Sequence, residues 1–173
     1  ARLEETDYQW RGVAMGADAA MLFSGIEPEA ARGAVAAAVT EIDRLEDALS
    51  LFRADSELRR LNRDNVLHSP SGDIRRALGL ALDIAGRSGG LFDPSVQALW
   101  EAHVGWFAAA PDAGLPPEGV IATARAAVDW RRIRIGPDTI RTGEDQRLTL
   151  NGLGQGYVTD RVAHLLSLRG FKH

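Results

Sequence analysis

Leu148-Thr149-Leu150-Asn151-Gly152-Leu153-Gly154-Gln155-Gly156-Tyr157-Val158-Thr159-Asp160 decides how this chain is read. It passes from an alternating strand pattern through three closely spaced glycines into a helical pattern carried by Val158, Val162, Leu165 and Leu166. Glycine permits positive φ and lets a backbone approach a ligand closely. A helix start just beyond supplies unpaired N–H groups and a positive dipole end. Such a loop can hold a phosphate or turn a carbonyl toward a metal, and it can equally be a tight strand-to-helix turn with no ligand. The spacing is neither the Rossmann fingerprint nor a Walker loop.

Outward from this loop, helices alternate with short strands. Tyr8 to Met15 and Ala20 to Phe23 read as two strands with a tight connection. Glu27-Pro28-Glu29 opens a long helix whose stripe is Val35, Ala38, Ile42, Leu45, Leu49 and Phe52, with Arg53-Ala54-Asp55 breaking it. A short turn over 56–62 points Leu58 and Leu61 inward. Ser69-Pro70 predicts the start of the next helix, with Ile74, Leu78, Ala81, Leu82 and Ala85 inside and 86–90 ending it. Gly89-Gly90-Leu91-Phe92-Asp93-Pro94 is a stiff turning segment. Helices over 96–107 and 120–128 follow, separated by an Ala/Gly/Pro loop. Strands are expected over 130–135, 139–141 and 147–150. The class is mixed α/β (α+β), with Gly170-Phe171-Lys172-His173 reading as a turn into a further strand, so that the fold is expected to be incomplete at its C-terminus.

Composition narrows the function. The 173 residues, 45% of them apolar, suffice for one domain with a real core. No apolar run approaches the length of a membrane span. Twenty basic against 24 acidic residues give a net charge of −4, which argues against nucleic acid as the main partner. With no cysteine, disulfides, thiolate metal sites and cysteine nucleophiles are excluded. His68, His103, His164 and His173 show no metal-binding spacing, and no serine sits in a nucleophile elbow.

Four segments taken together resemble the ApbE family of flavin transferases: Met15-Gly16; Leu49 to Leu58 with Leu61-Asn62; Gly89 to Val96 with Leu99; and Leu150 to Tyr157 with Asp160. Thr149 to Val162 is especially similar to the NosX branch, associated with nitrous-oxide reductase maturation. The resemblance implies that residues 1–173 form the N-terminal part of a single, larger mixed α/β domain, whose later region supplies an acidic residue and a threonine to magnesium. It implies magnesium-dependent transfer of FMN from FAD to a threonine of a target protein, with release of AMP. It places the protein on the periplasmic or extracytoplasmic side. The partner would be a target flavoprotein, and for a NosX-like member the membrane-bound regulatory flavoprotein of nitrous-oxide reduction.

The resemblance assigns cofactor contacts to Met15, Phe52, Leu91, Phe92, Asp93 and Thr149, and a metal-binding carbonyl to Gly154. Each has a plainer reading. Met15 fits a core residue at a strand end, and Phe52 fits the apolar stripe of the long helix. Asp93 would accept hydrogen bonds from a ribose or adenine, or cap its own turn. Ser56 and Glu57 are expected to cap and brace the loop beneath the site. Asn151 and Gly152 shape the loop, and Asp160 is expected in the first turn of the last helix. Two positions depart from the commoner family loop, Thr149 for an aspartate and Gln155 for a lysine; the glutamine is shared with the NosX-like branch. Other readings are a flavin-binding or chaperone-like module without transfer, a hydrolase of FAD, and a structural domain. No residue stands out as the catalytic acid or base.

Overall fold

The hairpin at the front of the chain forms as expected. In the computed structural model, which describes residues 7–112 and 114–171, β1 (Tyr8–Ala14) and β2 (Ala17–Phe23) pair antiparallel, Tyr8 opposite Phe23 and Ala14 opposite Ala17. The linking residues Met15 and Gly16 have φ of 52° and 76°. A two-residue hairpin needs this left-handed pair for its twist to match that of the strands. Met15 pays the steric cost of that conformation. Its buried side chain and the bond from its N–H to Glu46 Oε1 at 2.6 Å hold it there.

Helix α1 (Pro28–Leu49) begins at the expected proline and buries Val35, Ala38, Ile42, Leu45 and Leu49. The stripe stops one step earlier than its periodicity suggests. Ser50 turns extended, and its Oγ accepts from the N–H groups of Phe52 at 3.0 Å and Arg53 at 3.3 Å. This local side-chain bonding competes with helix continuation. Phe52 is therefore not on the helix and is 70% exposed. Arg53 folds back onto α1, pairing with Asp43, Glu46 and Asp47.

Ser56 caps α2 (Glu57–Asp64), accepting from Arg59 N. Helix α3 (Gly72–Arg87) is capped by Ser71, not Ser69. Ser69 N bonds the Asp138 carbonyl at 2.9 Å, which keeps Ser69-Pro70 in a link to the second sheet. Glu57 meanwhile accepts from Ser71 N and Oγ, the bracing role expected of it. That second sheet holds β3 (Val66–His68), β4 (Arg134–Ile135) and β5 (Thr139–Arg141) in the antiparallel order β3-β5-β4. The β3 strand is too short for alternation to show in sequence.

Two expected strands are cut short, and of 130–135 only Arg134–Ile135 forms a strand. Residues Trp130–Arg132 form a single 3-10 turn, because the Asp129 side chain accepts from Arg131 N. The 147–150 stretch makes one parallel bridge, Val96 to Arg147, a backbone bond from Thr149 N to the Pro94 carbonyl, and side-chain bonds between Asn62 and Leu148. Helices α4 (Gln97–Ala109) and α5 (Glu118–Ala126) pack on each other. Trp100 is more than half exposed on α4. Helix α6 (Gly154–Leu168) packs against α1. The core joins α1, α2, α3, the small sheet and α6 through Leu45, Leu58, Leu61, Ile74, Leu78, Ile140, Leu148 and Leu150. Among the described residues, no helix is long and apolar enough to cross a membrane.

Candidate functional site

The glycine-rich turn is shorter than its sequence suggests. The Leu150 carbonyl accepts from Leu153 N at 2.9 Å and Gly154 N at 2.6 Å, and α6 starts at Gly154. Gly154 and Gly156 thus belong to the first helical turn, leaving Asn151-Gly152-Leu153 as the turn proper. Asp160 consequently lies in the second turn of α6, not the first. The N–H groups of Gln155 and Gly156 meet no acceptor among the described residues. Such groups at a helix start favour a bound anion.

The hairpin turn packs onto this helix start. The Met15 Cε lies 3.1 Å from where a β-carbon on Gly154 would stand, and Phe52 Cε2 lies 2.8 Å from the corresponding point on Gly16. Met15, Gly16, Phe52, Asn151 and Gln155 line a cavity of about 180 Å³. Three segments far apart in sequence thereby share one wall.

The Gly89 to Pro94 turn packs against Gly152 and Thr149. Gly89 and Gly90 take φ of 64° and 87°, reversing the chain after α3. Phe92 Cε2 stands 3.0 Å from a β-carbon position on Gly152, and Thr149 N donates to the Pro94 carbonyl at 2.8 Å. Leu91 is 95% exposed. The Asp93 oxygens are engaged inside the protein: Oδ1 accepts from Ser95 N at 2.8 Å and Ser95 Oγ at 2.6 Å, and Oδ2 from Trp130 N at 3.0 Å. Asp93 thus braces its own turn against Trp130. Thr149 Oγ1 accepts from Asn151 N at 3.2 Å, shaping the turn before α6.

Residues that carried no assigned contact hold this arrangement in place. The Asn62 amide donates to the Leu148 carbonyl at 2.8 Å and accepts from Leu148 N at 2.7 Å. It substitutes for a strand partner just before the glycine turn. Behind α6, Tyr157 Oη donates to Asp73 Oδ1 at 3.0 Å, and Arg44 and Arg76 pair with the same carboxylate. Burial alone would raise the Asp73 pKa, but these hydrogen bonds outweigh it and hold the group at about 2. No periodicity marks Asn62, Glu46 or Tyr157. Asn62 and Tyr157 stand within the segments that carry the family resemblance, but nothing in their spacing names a partner.

A magnesium site is not made up by these residues alone. Gly154 offers one carbonyl, directed along α6 toward the helical N–H four residues on. Magnesium requires near-octahedral oxygen coordination. Among the described residues, no group of three or more His, Asp or Glu is placed to hold a metal ion. His68, His103 and His164 lie on β3, α4 and α6, and His173 lies outside the described residues.

A family model described as the ApbE family matches residues 14–173. No curated protein sequence matches significantly. Among solved structures, a point mutant of the flavin transferase ApbE from Vibrio cholerae superposes with a TM-score of 0.81 at 22% identity, covering 95% of this chain and 57% of that one. The apo form of the Pseudomonas stutzeri flavinyl transferase ApbE gives 0.77 at 22% identity, with 94% and 52% covered. The ApbE protein of Thermotoga maritima gives 0.75 at 20%, with 90% and 51% covered. The chain spans just over half the length of these structures and shares their mixed α/β fold.

Proposed function

Because this chain belongs to the ApbE family, we propose that it forms part of a single domain that moves FMN from FAD onto a threonine of a target protein. The observation that carries this reading is the meeting of the three turns: Met15 against Gly154, Phe92 against Gly152, and Phe52 over the shared cavity. A dinucleotide needs contacts of several kinds at once. The N–H groups of Gln155 and Gly156 suit its phosphates. The exposed Phe52 and Leu91 offer apolar surface to its rings. Phe92, Asp93 and Thr149 set the shape of the wall between them.

In this reaction the threonine oxygen attacks the FMN phosphorus and forms the new P–O bond. The pyrophosphate P–O bond breaks, AMP leaves with the bridging oxygen, and the hydroxyl proton is released. The protein's part is alignment of the hydroxyl with the phosphorus. The family's magnesium would find one donor here, the Gly154 carbonyl, with its remaining donors outside the described residues. Gln155 in place of the commoner lysine supports a NosX-like member. The target in that case is the membrane-bound regulatory flavoprotein of nitrous-oxide reduction, on the periplasmic or extracytoplasmic side.

The test is mass spectrometry of that target after incubation with the complete protein, FAD and magnesium. An added FMN mass on threonine, with AMP released, is the expected result. FMN appearing free in solution would identify a hydrolase instead. FAD bound without AMP release would identify a binding module, and absence of FAD binding would remove the reading.

A further inference from the structure

Beside the candidate flavin site lies a second cleft, of about 290 Å³, between α2, the start of α4 and the segment before the glycine turn. Its polar lining includes Arg59, Arg63 and Arg147 against a single carboxylate, Glu101. The imbalance is local, because the chain as a whole carries a net charge of −4. Arg59 donates to the Leu51 carbonyl at 3.1 Å, and Arg147 to the Gln146 carbonyl at 2.7 Å. Neither forms an ion pair among the described residues. A guanidinium has five N–H donors, and a neutral carbonyl does not pair its charge. Asp145, whose charge Arg147 feels, is itself paired with Arg132. Among the described residues Arg63 forms an ion pair only with its exposed neighbour Asp64.

The cleft continues onto an apolar face. Gln97 and Glu101, one turn apart on α4 and bonded to each other at 2.9 Å, border it. On the adjoining face of the same helix, Trp100, Val104 and Phe107 are 57%, 44% and 42% exposed. A site for a small free anion has no use for such a rim. Unpaired arginines flanked by exposed aromatic residues are the composition of a protein-binding surface.

We infer that this cleft and the adjoining face of α4 bind an acidic segment of the polypeptide that receives the flavin, its carboxylates pairing with Arg59 and Arg147 and an apolar residue covering Trp100. The inference rests on the transfer reading above. Position supports it: Leu51 of the cleft precedes Phe52, and Arg147 pairs with Val96 two residues before Thr149. A segment held there lies next to the nucleotide wall.

The test uses the complete protein and two fluorescein-labelled peptides, one rich in Glu and Leu and its Gln-for-Glu counterpart, compared by fluorescence anisotropy. Selective binding of the acidic peptide, weakening with salt, is expected. Arg59→Glu combined with Arg147→Glu should lower that affinity by at least about tenfold while FAD binding is unchanged. Glu101→Gln should tighten binding, a gain that a misfolded protein could not produce. Equal affinity for both peptides, or no effect of the substitutions, overturns the inference. So does displacement of the acidic peptide by inorganic phosphate at equal concentration, which marks a small-anion site. Loss of FAD binding in the double variant would assign the cleft to the nucleotide and overturn it as well. Failure of the native protein to bind FAD removes the transfer reading; intact FAD binding without peptide discrimination removes this inference alone.

Discussion

The terminal methyl of Met15 lies 3.1 Å from the point where a β-carbon on Gly154 would stand, so the hairpin turn and the start of α6 fix each other's position. Gly154→Ala presses only on the end of a flexible side chain, and alanine gains about 1 kcal/mol of helix propensity over glycine. The alanine variant should therefore unfold within a few degrees of the native protein. Gly154→Val adds branches that Met15 cannot avoid. It should cost about 1–3 kcal/mol and weaken FAD binding, as read by thermal unfolding and fluorescence titration.

Phe52 separates stability from binding. With 70% of its surface exposed, Phe52→Ala should change stability by less than about 0.5 kcal/mol. If its ring stacks on the flavin nucleotide, the same change should weaken FAD binding by roughly five- to tenfold. Unaltered FAD affinity would exclude Phe52 from the site. A large drop in the unfolding midpoint would show that the ring belongs to the core.

Asn62 should behave as a half-buried structural clamp. Asn62→Asp keeps the acceptor for Leu148 N but leaves the Leu148 carbonyl without its donor. A loss of about 1–3 kcal/mol is expected, which at this chain length is about 2–4 °C in unfolding midpoint per kcal/mol. Asn62→Leu, which removes both bonds, should cost more than Asn62→Asp. The reverse order in urea unfolding would contradict the clamp.

Asp73 predicts acid sensitivity. Its folded pKa of about 2 lies below that of the same group in an unfolded chain. Its contribution, about 2 kcal/mol, is therefore fully present above about pH 4 and is lost as the pH falls through about 2. Asp73→Asn should lower stability at neutral pH and flatten the slope below about pH 4. Urea unfolding of both proteins across that range checks it, and parallel slopes would show that other carboxylates carry the effect.

The helices were legible because each reports a periodic apolar face within its own residues. The Val35 to Leu49 stripe, the Pro28 start and the face from Ile74 to Ala85 needed no distant partner. The errors arose where a side-chain bond outcompeted periodicity. Ser50 stopped α1 and released Phe52, Ser71 took the capping role from Ser69, and Asp129 folded residues 130–132 into a 3-10 turn. The expected strand over 147–150 shrank to one bridge for a related reason: Leu148 bonds the side chain of Asn62, which has no strand periodicity.

The sequence by itself determined a chain with one mixed α/β core, no thiol chemistry and two glycine-bearing turns in the order of the ApbE family. Local propensity and the residue types present suffice for that. Only the tertiary structure decided that those turns touch, that Asp93 holds Trp130 in place, and that among the described residues Arg59 and Arg147 form no ion pair. These are relations between residues dozens of positions apart. They are set by how the helices pack around a shared core, and no local window of sequence contains them.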